Sequence, residues 1–148
     1  MLTKKTKYAV KALMALARNG ENKPMLIAEI AKQEGLPKRF LEAILLDLKR
    51  GQILGSRMGA GGGYFLVKPA SEIMVVNVIR ILDGPIALLP CVSLNFYQRC
   101  EECVDEVTCS IREMMGRVRD ASIEIMGHTS IADLVAKEKE LGGNLSEG

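Results

Sequence analysis

Apolar residues recur at helical spacing from the start of the chain. Ala9, Leu13, Leu16 and Ala17 fall at i, i+4, i+7 and i+8 between Thr3 and Arg18, one side of a helix that Asn19-Gly20 ends. Ile27, Ile30 and Ala31 predict a second, shorter helix from Leu26 to Gln33, closed by Gly35. Pro37 suits a first helical position, and Leu41, Ile44, Leu45 and Leu48 stripe a third helix up to Arg50, with Gly51 expected as its left-handed cap. The period then shortens. Ile53-Leu54 and Tyr64-Phe65-Leu66-Val67 read as two short strands flanking Arg57-Met58-Gly59-Ala60-Gly61-Gly62-Gly63, a hairpin with a glycine-rich tip.

Helix, helix, turn, helix, hairpin is the order of a winged helix-turn-helix, mainly α with a small β-hairpin wing; its third helix enters the major groove of DNA and its wing lies along the backbone. Val75, Val78, Ile79 and Leu82 form another stripe, ended by Asp83-Gly84-Pro85. From Ser110 to Met126, Ile111, Met114, Met115, Val118, Ser122, Ile125 and Met126 give a long helix with a wide apolar face. A chain of 148 residues offers little else to cover that face, so pairing with the same helix of a second copy is expected, a homodimer about a two-fold axis. Ser130-Ile131-Ala132-Asp133 resembles a capping box opening a last helix toward Leu141. The expected organisation is a winged-helix DNA-binding domain over 1–70, a connecting helix over 71–90, a cysteine-rich loop over 91–109, the dimerisation and C-terminal helices over 110–141, and a disordered tail over 142–148.

Charge divides the chain at Ala70. Residues 1–70 hold thirteen Lys and Arg against five Asp and Glu, a net of +8; residues 71–148 hold seven against thirteen, a net of −6. A basic half joined to an acidic half points to one part that meets a polyanion. On the third helix Lys38, Arg39, Glu42 and Lys49 lie off the buried stripe, the first three near the amino end, where recognition helices touch bases. Lys or Arg there can bond guanine or phosphate, and Glu42 can accept from cytosine N4. On the wing, Arg57 can enter a narrow minor groove, while Gly61, Gly62 and Gly63, followed by Tyr64, let backbone amides approach phosphates. Solvated surface charge and a merely flexible turn are the plainer readings of the same residues.

Four cysteines, Cys91, Cys100, Cys103 and Cys109, fall in nineteen residues with C-x8-C-x2-C-x5-C spacing. Four thiolates in one loop can ligate a 2Fe–2S or 4Fe–4S iron–sulfur cluster or a tetrahedral zinc, and metal-free thiols stay open. Glu101, Glu102, Asp105 and Glu106 sit among them, so bare thiolates there are disfavoured by like charge and a bound cation would relieve the repulsion. No export signal precedes the first helix and no membrane-length apolar stretch follows it, so the reducing cytoplasm is expected, where clustered cysteines suit metal binding or redox sensing. Catalysis is not expected: His128 is the single histidine, no acid–base pair is visible, and Cys100-Glu101-Glu102-Cys103 lacks the strand–helix–strand setting of a thiol oxidoreductase.

Taken together, Thr6-Lys7-Tyr8-Ala9-Val10, Ile27-Ala28-Glu29-Ile30-Ala31, Phe40-Leu41-Glu42 with Ile44-Leu45, Gly59-Ala60-Gly61-Gly62-Gly63-Tyr64, Ile79-Arg80-Ile81-Leu82-Asp83-Gly84-Pro85-Ile86-Ala87 and Thr129-Ser130-Ile131-Ala132-Asp133-Leu134 make the chain resemble the Rrf-two family of winged-helix transcriptional regulators, of the IscR, NsrR and CymR kind. The resemblance implies a dimer held by the long helix, contacts to double-stranded DNA from the third helix and wing, and, in cluster-binding members, ligation by three cysteines matched by Cys91, Cys103 and Cys109. Two departures follow. Arg112 stands where the iron–sulfur regulator has a histidine ligand, and Lys7 where the nitric-oxide-sensing branch has an aspartate. Cys100 is the substitute fourth ligand this comparison leaves. The expected activity is that of a homodimeric, sequence-specific regulator, a repressor, reading a near-palindromic operator and sensing iron–sulfur, redox or nitrosative state; the alternative is a metal-free or zinc-binding winged-helix regulator or a protein-interaction module with thiol-based sensing.

Overall fold

A computed structural model describes residues 2–146, with side chains through 142. Helix α1 spans Lys4–Asn19 and starts on Thr3, whose Oγ1 accepts from the Thr6 N–H at 3.2 Å. Its buried face holds Thr6, Ala9, Ala12, Leu13, Ala15 and Leu16, the small residues letting neighbouring helices approach closely. Helix α2 (Ile27–Glu34) begins where the Glu29 carboxylate accepts from the Leu26 N–H at 3.0 Å, and ends at Gly35 in the left-handed conformation.

Helix α3 (Lys38–Arg50) buries Leu41, Ile44, Leu45 and Leu48, the stripe its sequence predicts. Two details differ from expectation. Pro37 is the extended N-cap rather than the first helical residue, its carbonyl accepting from the Leu41 N–H at 3.1 Å. Gly51 is not left-handed, with φ −77°; Gln52, at φ 61°, takes that conformation. Packing explains the glycine instead: a Cβ at Gly51 would lie 2.6 Å from Ile81 Cδ1.

Strands β1 (Leu54–Arg57) and β2 (Gly63–Leu66) pair antiparallel, Leu54 opposite Leu66 and Arg57 opposite Gly63. Tyr64 also exchanges two backbone hydrogen bonds with Met25, at 2.8 and 2.9 Å, which pins the hairpin to the segment entering α2. After a 3-10 turn at Ala70–Glu72 comes α4 (Val75–Leu82), burying Val76, Val78 and Ile79. The cysteine loop holds one further 3-10 turn, Pro90–Val92, and leads to α5 (Ser110–Gly127) and α6 (Ile131–Ser146).

One hydrophobic cluster joins α1, α2, α3 and the wing to Ile73, Val78 and Ile131. The junction before α6 is drawn back to the start of α4, with Val75 N–H donating to Thr129 O and Ile131 N–H to Ile73 O, both at 2.9 Å. Ser130 and Asp133 form the anticipated reciprocal cap, at 2.8 and 3.0 Å. Helix α6 runs five residues past Leu141, into the segment expected to be a disordered tail; residues 147 and 148 of that segment lie outside the described residues. Its neighbouring glycines cost about 1 kcal/mol each in a helix, a penalty that the strong helix formers before them offset.

Candidate nucleic-acid interface and cysteine loop

Lys38, Arg39 and Glu42 are all exposed on the first turns of α3. The buried stripe points the other way, so the exposed side of this helix carries two cations and one carboxylate near its amino end. Lys49, exposed near the carboxyl end, donates to Ser56 Oγ on β1 at 2.6 Å and so struts the wing against α3. The opposite flank of α3 is held to α1 by the Lys5–Asp47 ion pair at 2.7 Å. One contact thus joins α3 to the wing and the other joins it to α1.

On the wing, the Arg57 guanidinium lies 4.7 Å from the Phe65 ring centroid, a cation–π contact that orients it without neutralising it. Gly61 is exposed at the tip, Gly62 is buried, and Gly63 and Tyr64 are half-buried. Two of these glycines have structural reasons. At Gly62 a Cβ would lie 2.4 Å from Arg57 O; at Gly63, with φ 133°, it would lie 2.2 Å from Met25 O. Tyr64 packs against the hydrophobic core while its backbone pairs with Met25. Sequence reading gave no sign of the Met25 pairing or the Lys49–Ser56 strut, because both depend on how the hairpin folds back over the helices.

The four cysteines sit in different environments. Cys91 is buried in the Pro90–Val92 turn, Cys100 is exposed, and Cys103 and Cys109 are half-buried. Cys103 N–H donates to Cys100 O at 3.2 Å, a tight turn. Cys109 is the N-cap of α5, its Sγ accepting from the Arg112 N–H at 3.4 Å. Desolvation pushes the Cys103 thiol above its ordinary value, and the neighbouring Cys109, Glu106 and Cys100 push it the same way. Arg119 donates to Val92 O at 2.7 Å, tying the Cys91 turn to the middle of α5.

Among the described residues, no three Cys, His, Asp or Glu side chains converge closely enough to hold a metal ion. The donor chemistry nonetheless suits a thiolate-bound group, and the buried Arg112 Nε, which has no hydrogen-bond partner among the described residues, is a donor available beside the loop. His128 accompanies the carboxyl end of α5, its Nδ1 2.8 Å from Glu124 O, as a helix-end residue does. No helix among the described residues is long and apolar enough to cross a membrane.

Two longer-range ties connect the halves of the chain. Arg18 on α1 bonds both Glu34 on α2 and Glu138 on α6, the latter at 2.8 Å. Thr3, at the head of α1, donates from Oγ1 to Asp83 Oδ1 at 2.6 Å and from its N–H to Oδ2 at 3.3 Å. Partial burial works to raise the Asp83 carboxyl, but hydrogen bonds from Thr3 and Thr6 outweigh it and hold it below its ordinary value. Asp83 stands where α4 turns into the segment leading to Cys91, so this tether places the root of the cysteine loop against the first helix.

Comparison with known proteins agrees with this architecture. The Rrf2 family model, described as an iron-dependent transcriptional regulator, matches residues 2–137. A provisionally named rrf2-like HTH-type transcriptional regulator of Rhodobacter capsulatus is 41% identical over 139 residues, covering 92% of this chain and 93% of the relative. The HTH-type transcriptional regulator IscR of Photorhabdus laumondii is 29% identical over 140 residues, covering 95% and 82% respectively. Among solved structures, CymR, the global cysteine regulator of B. subtilis, superposes with a TM-score of 0.77 at 26% identity, over 93% of this chain and 97% of that one. These relatives are regulators rather than enzymes, and the winged-helix order read from the sequence is the fold observed. The chain belongs to the Rrf2 family of DNA-binding transcriptional regulators.

Proposed function

We propose that this chain is a homodimeric, sequence-specific repressor whose operator affinity is set by the chemical state of Cys91, Cys100, Cys103 and Cys109. Lys38, Arg39 and Glu42 read base edges in the major groove, while Arg57 and the exposed Gly61 meet the minor groove and phosphates. Gly62 and Tyr64, expected to offer backbone amides to phosphates, instead shape the tip, because their N–H groups already donate to Gly59 O and Met25 O, and Gly63 is needed for its close approach to Met25. Two recognition helices related by a dyad read a near-palindromic site with half-sites about 34–36 Å apart. Such a thiol-based sensor acts in the reducing cytoplasm.

The observation that carries the sensing half is the Cys109 cap: the last cysteine of the loop is also the N-cap of α5. Helix α5 has no buried residue in the single chain, and Ile111 and Ile125 are 60% and 68% exposed. An apolar face this open on an 18-residue helix supports a two-fold helix pairing. Drawing Cys109 into a ligand set would remove its sulfur from the Arg112 N–H and reset the first turn of the dimer helix. Because α5 leads into α6, which Arg18 ties to α1 and α2, a shift of α5 changes the spacing of the recognition helices. An iron–sulfur cluster held by the four thiolates would supply a group that oxidation or nitrosation removes. Cys100 takes the fourth position because Arg112 cannot ligate.

A second reading is zinc or metal-free thiol sensing, the metal-free form favoured by the different environments of buried Cys91 and exposed Cys100. Anaerobic purification followed by visible absorption and iron, zinc and acid-labile sulfide analysis distinguishes them. Iron and sulfide in matching amounts, lost in Cys91→Ala and Cys100→Ala variants, support the cluster; zinc alone, or no metal from cells able to build clusters, supports the second reading.

A further inference from the structure

Met58 stands at the tip of the wing and is 98% exposed. A large apolar side chain held fully in water is ordinary on a loose turn, but this turn is not loose. Four residue pairs align β1 with β2, Gly62 N–H donates to Gly59 O at 3.0 Å, and Gly63 approaches Met25 too closely for any Cβ. The hairpin is thus held firmly beneath its tip, and no described residue covers Met58.

The hairpin's surroundings identify the occupant. Arg57 precedes Met58, Lys49 bonds Ser56 just before Arg57, and residues 1–70 carry a net charge of +8. That setting attracts a polyanion rather than an apolar protein surface. Gly59, Ala60 and Gly61 complete the tip, which is slim enough for a minor groove about 6 Å wide. Proteins that use this groove insert apolar wedges, methionine among them, between base pairs, and the thioether chain adapts its shape to such a gap.

We propose that Met58 is a minor-groove wedge, inserting beside Arg57 into a flexible pyrimidine–purine step outside each half-site. The protein would then read DNA deformability at positions where it makes no base hydrogen bond. This rests on the DNA-binding reading above and adds a specificity residue to it. Arg57 supplies the charge that brings the wing to the groove, and Met58 selects steps that unstack easily.

The test uses the full chain and a duplex recovered by selection from a random pool, with 2-aminopurine placed at successive positions under the wings. Wild-type protein is expected to raise the probe's emission at one step per half-site. Met58→Ala should abolish that rise and weaken binding about tenfold, the scale of one buried methionine side chain, with an unchanged salt slope because no phosphate contact is lost. Met58→Leu should keep most of both signals. Arg57→Ala should instead reduce the salt slope by about two, one for each wing of the dimer. Unchanged affinity and emission in Met58→Ala overturn the wedge while leaving DNA binding intact. A wild-type chain that enriches no duplex overturns both. A loss seen only when a second protein is present shows Met58 to be a protein contact and also overturns the wedge.

Discussion

Cys109 caps helix α5: its Sγ accepts the Arg112 N–H at 3.4 Å, so a residue proposed to sense also fixes the first turn of the helix proposed to dimerise. The two roles separate by substitution. In metal-free protein, Cys109→Ala should cost about 1 kcal/mol of stability through the lost cap. Cys109→Ser should keep that stability, since a hydroxyl caps at least as well as a thiol. Both variants should lose the response of DNA binding to the loop's state. Thermal denaturation beside operator binding checks the pair.

If Cys100 replaces the histidine that Arg112 displaces, ligation can be moved back. Cys100→Ala alone should abolish cluster assembly, and adding Arg112→His should restore it, read as visible absorption and iron content after anaerobic reconstitution. Absence of rescue, with a folded double variant, argues that Cys100 acts in some other way.

The glycines of the wing make a contrasting pair. Gly61 has φ 71° and open space around it, so Gly61→Ala should cost only the left-handed penalty of about 1–2 kcal/mol. Gly63→Ala would place a methyl group 2.2 Å from Met25 O, so it should displace the hairpin from the entry to α2 and cost clearly more. Chemical denaturation compares them. Equal costs would mean that the Met25–Tyr64 pairing does not constrain the wing.

Acid should loosen the tie between α1 and α4. Asp83 titrates below its ordinary value of 3.8, so its carboxylate contributes stability that is fully present above that value and lost as pH falls through the lower, folded-state value. Asp83→Asn should lower the melting temperature near neutral pH and flatten the decline on the acid side. Melting temperatures of both proteins between about pH 2 and 7 measure this.

Arg18 offers a test of coupling between the halves. Its guanidinium serves Glu34 and Glu138 together, and the Glu34 side chain is only 13% exposed. Arg18→Met should cost about 1–3 kcal/mol, much of it from leaving Glu34 without its partner. The same variant should weaken the effect of the loop's state on DNA binding, because α6 loses its polar tie to α1.

The elements themselves were legible. The stripe on α3 lies where the spacing of Leu41, Ile44, Leu45 and Leu48 places it, because a helix has to bury one continuous face; on α4 Val78 and Ile79 are buried as expected, but Val76 rather than Val75 joins them and Leu82 is only half-buried. The Ser130–Asp133 cap was readable for the same local reason. Gly51 was misread because its constraint comes from Ile81, thirty residues away, rather than from its own backbone. The Thr3–Asp83 tether and the burial of Cys91 were likewise invisible, being products of packing between distant segments. At the candidate site, the residue types on α3, the wing and the loop were readable; the Cys109 cap and the rigid support beneath Met58 required the fold.

The most direct test of the central claim compares one preparation of protein in two states, with the cysteine loop loaded anaerobically and with its bound group removed, titrated against the same selected duplex at fixed salt. The account predicts Kd values differing by about tenfold or more, with Cys109→Ser fixed at one of the two affinities. Equal affinity in both states would contradict it, leaving a DNA-binding protein whose cysteines do not govern its operator.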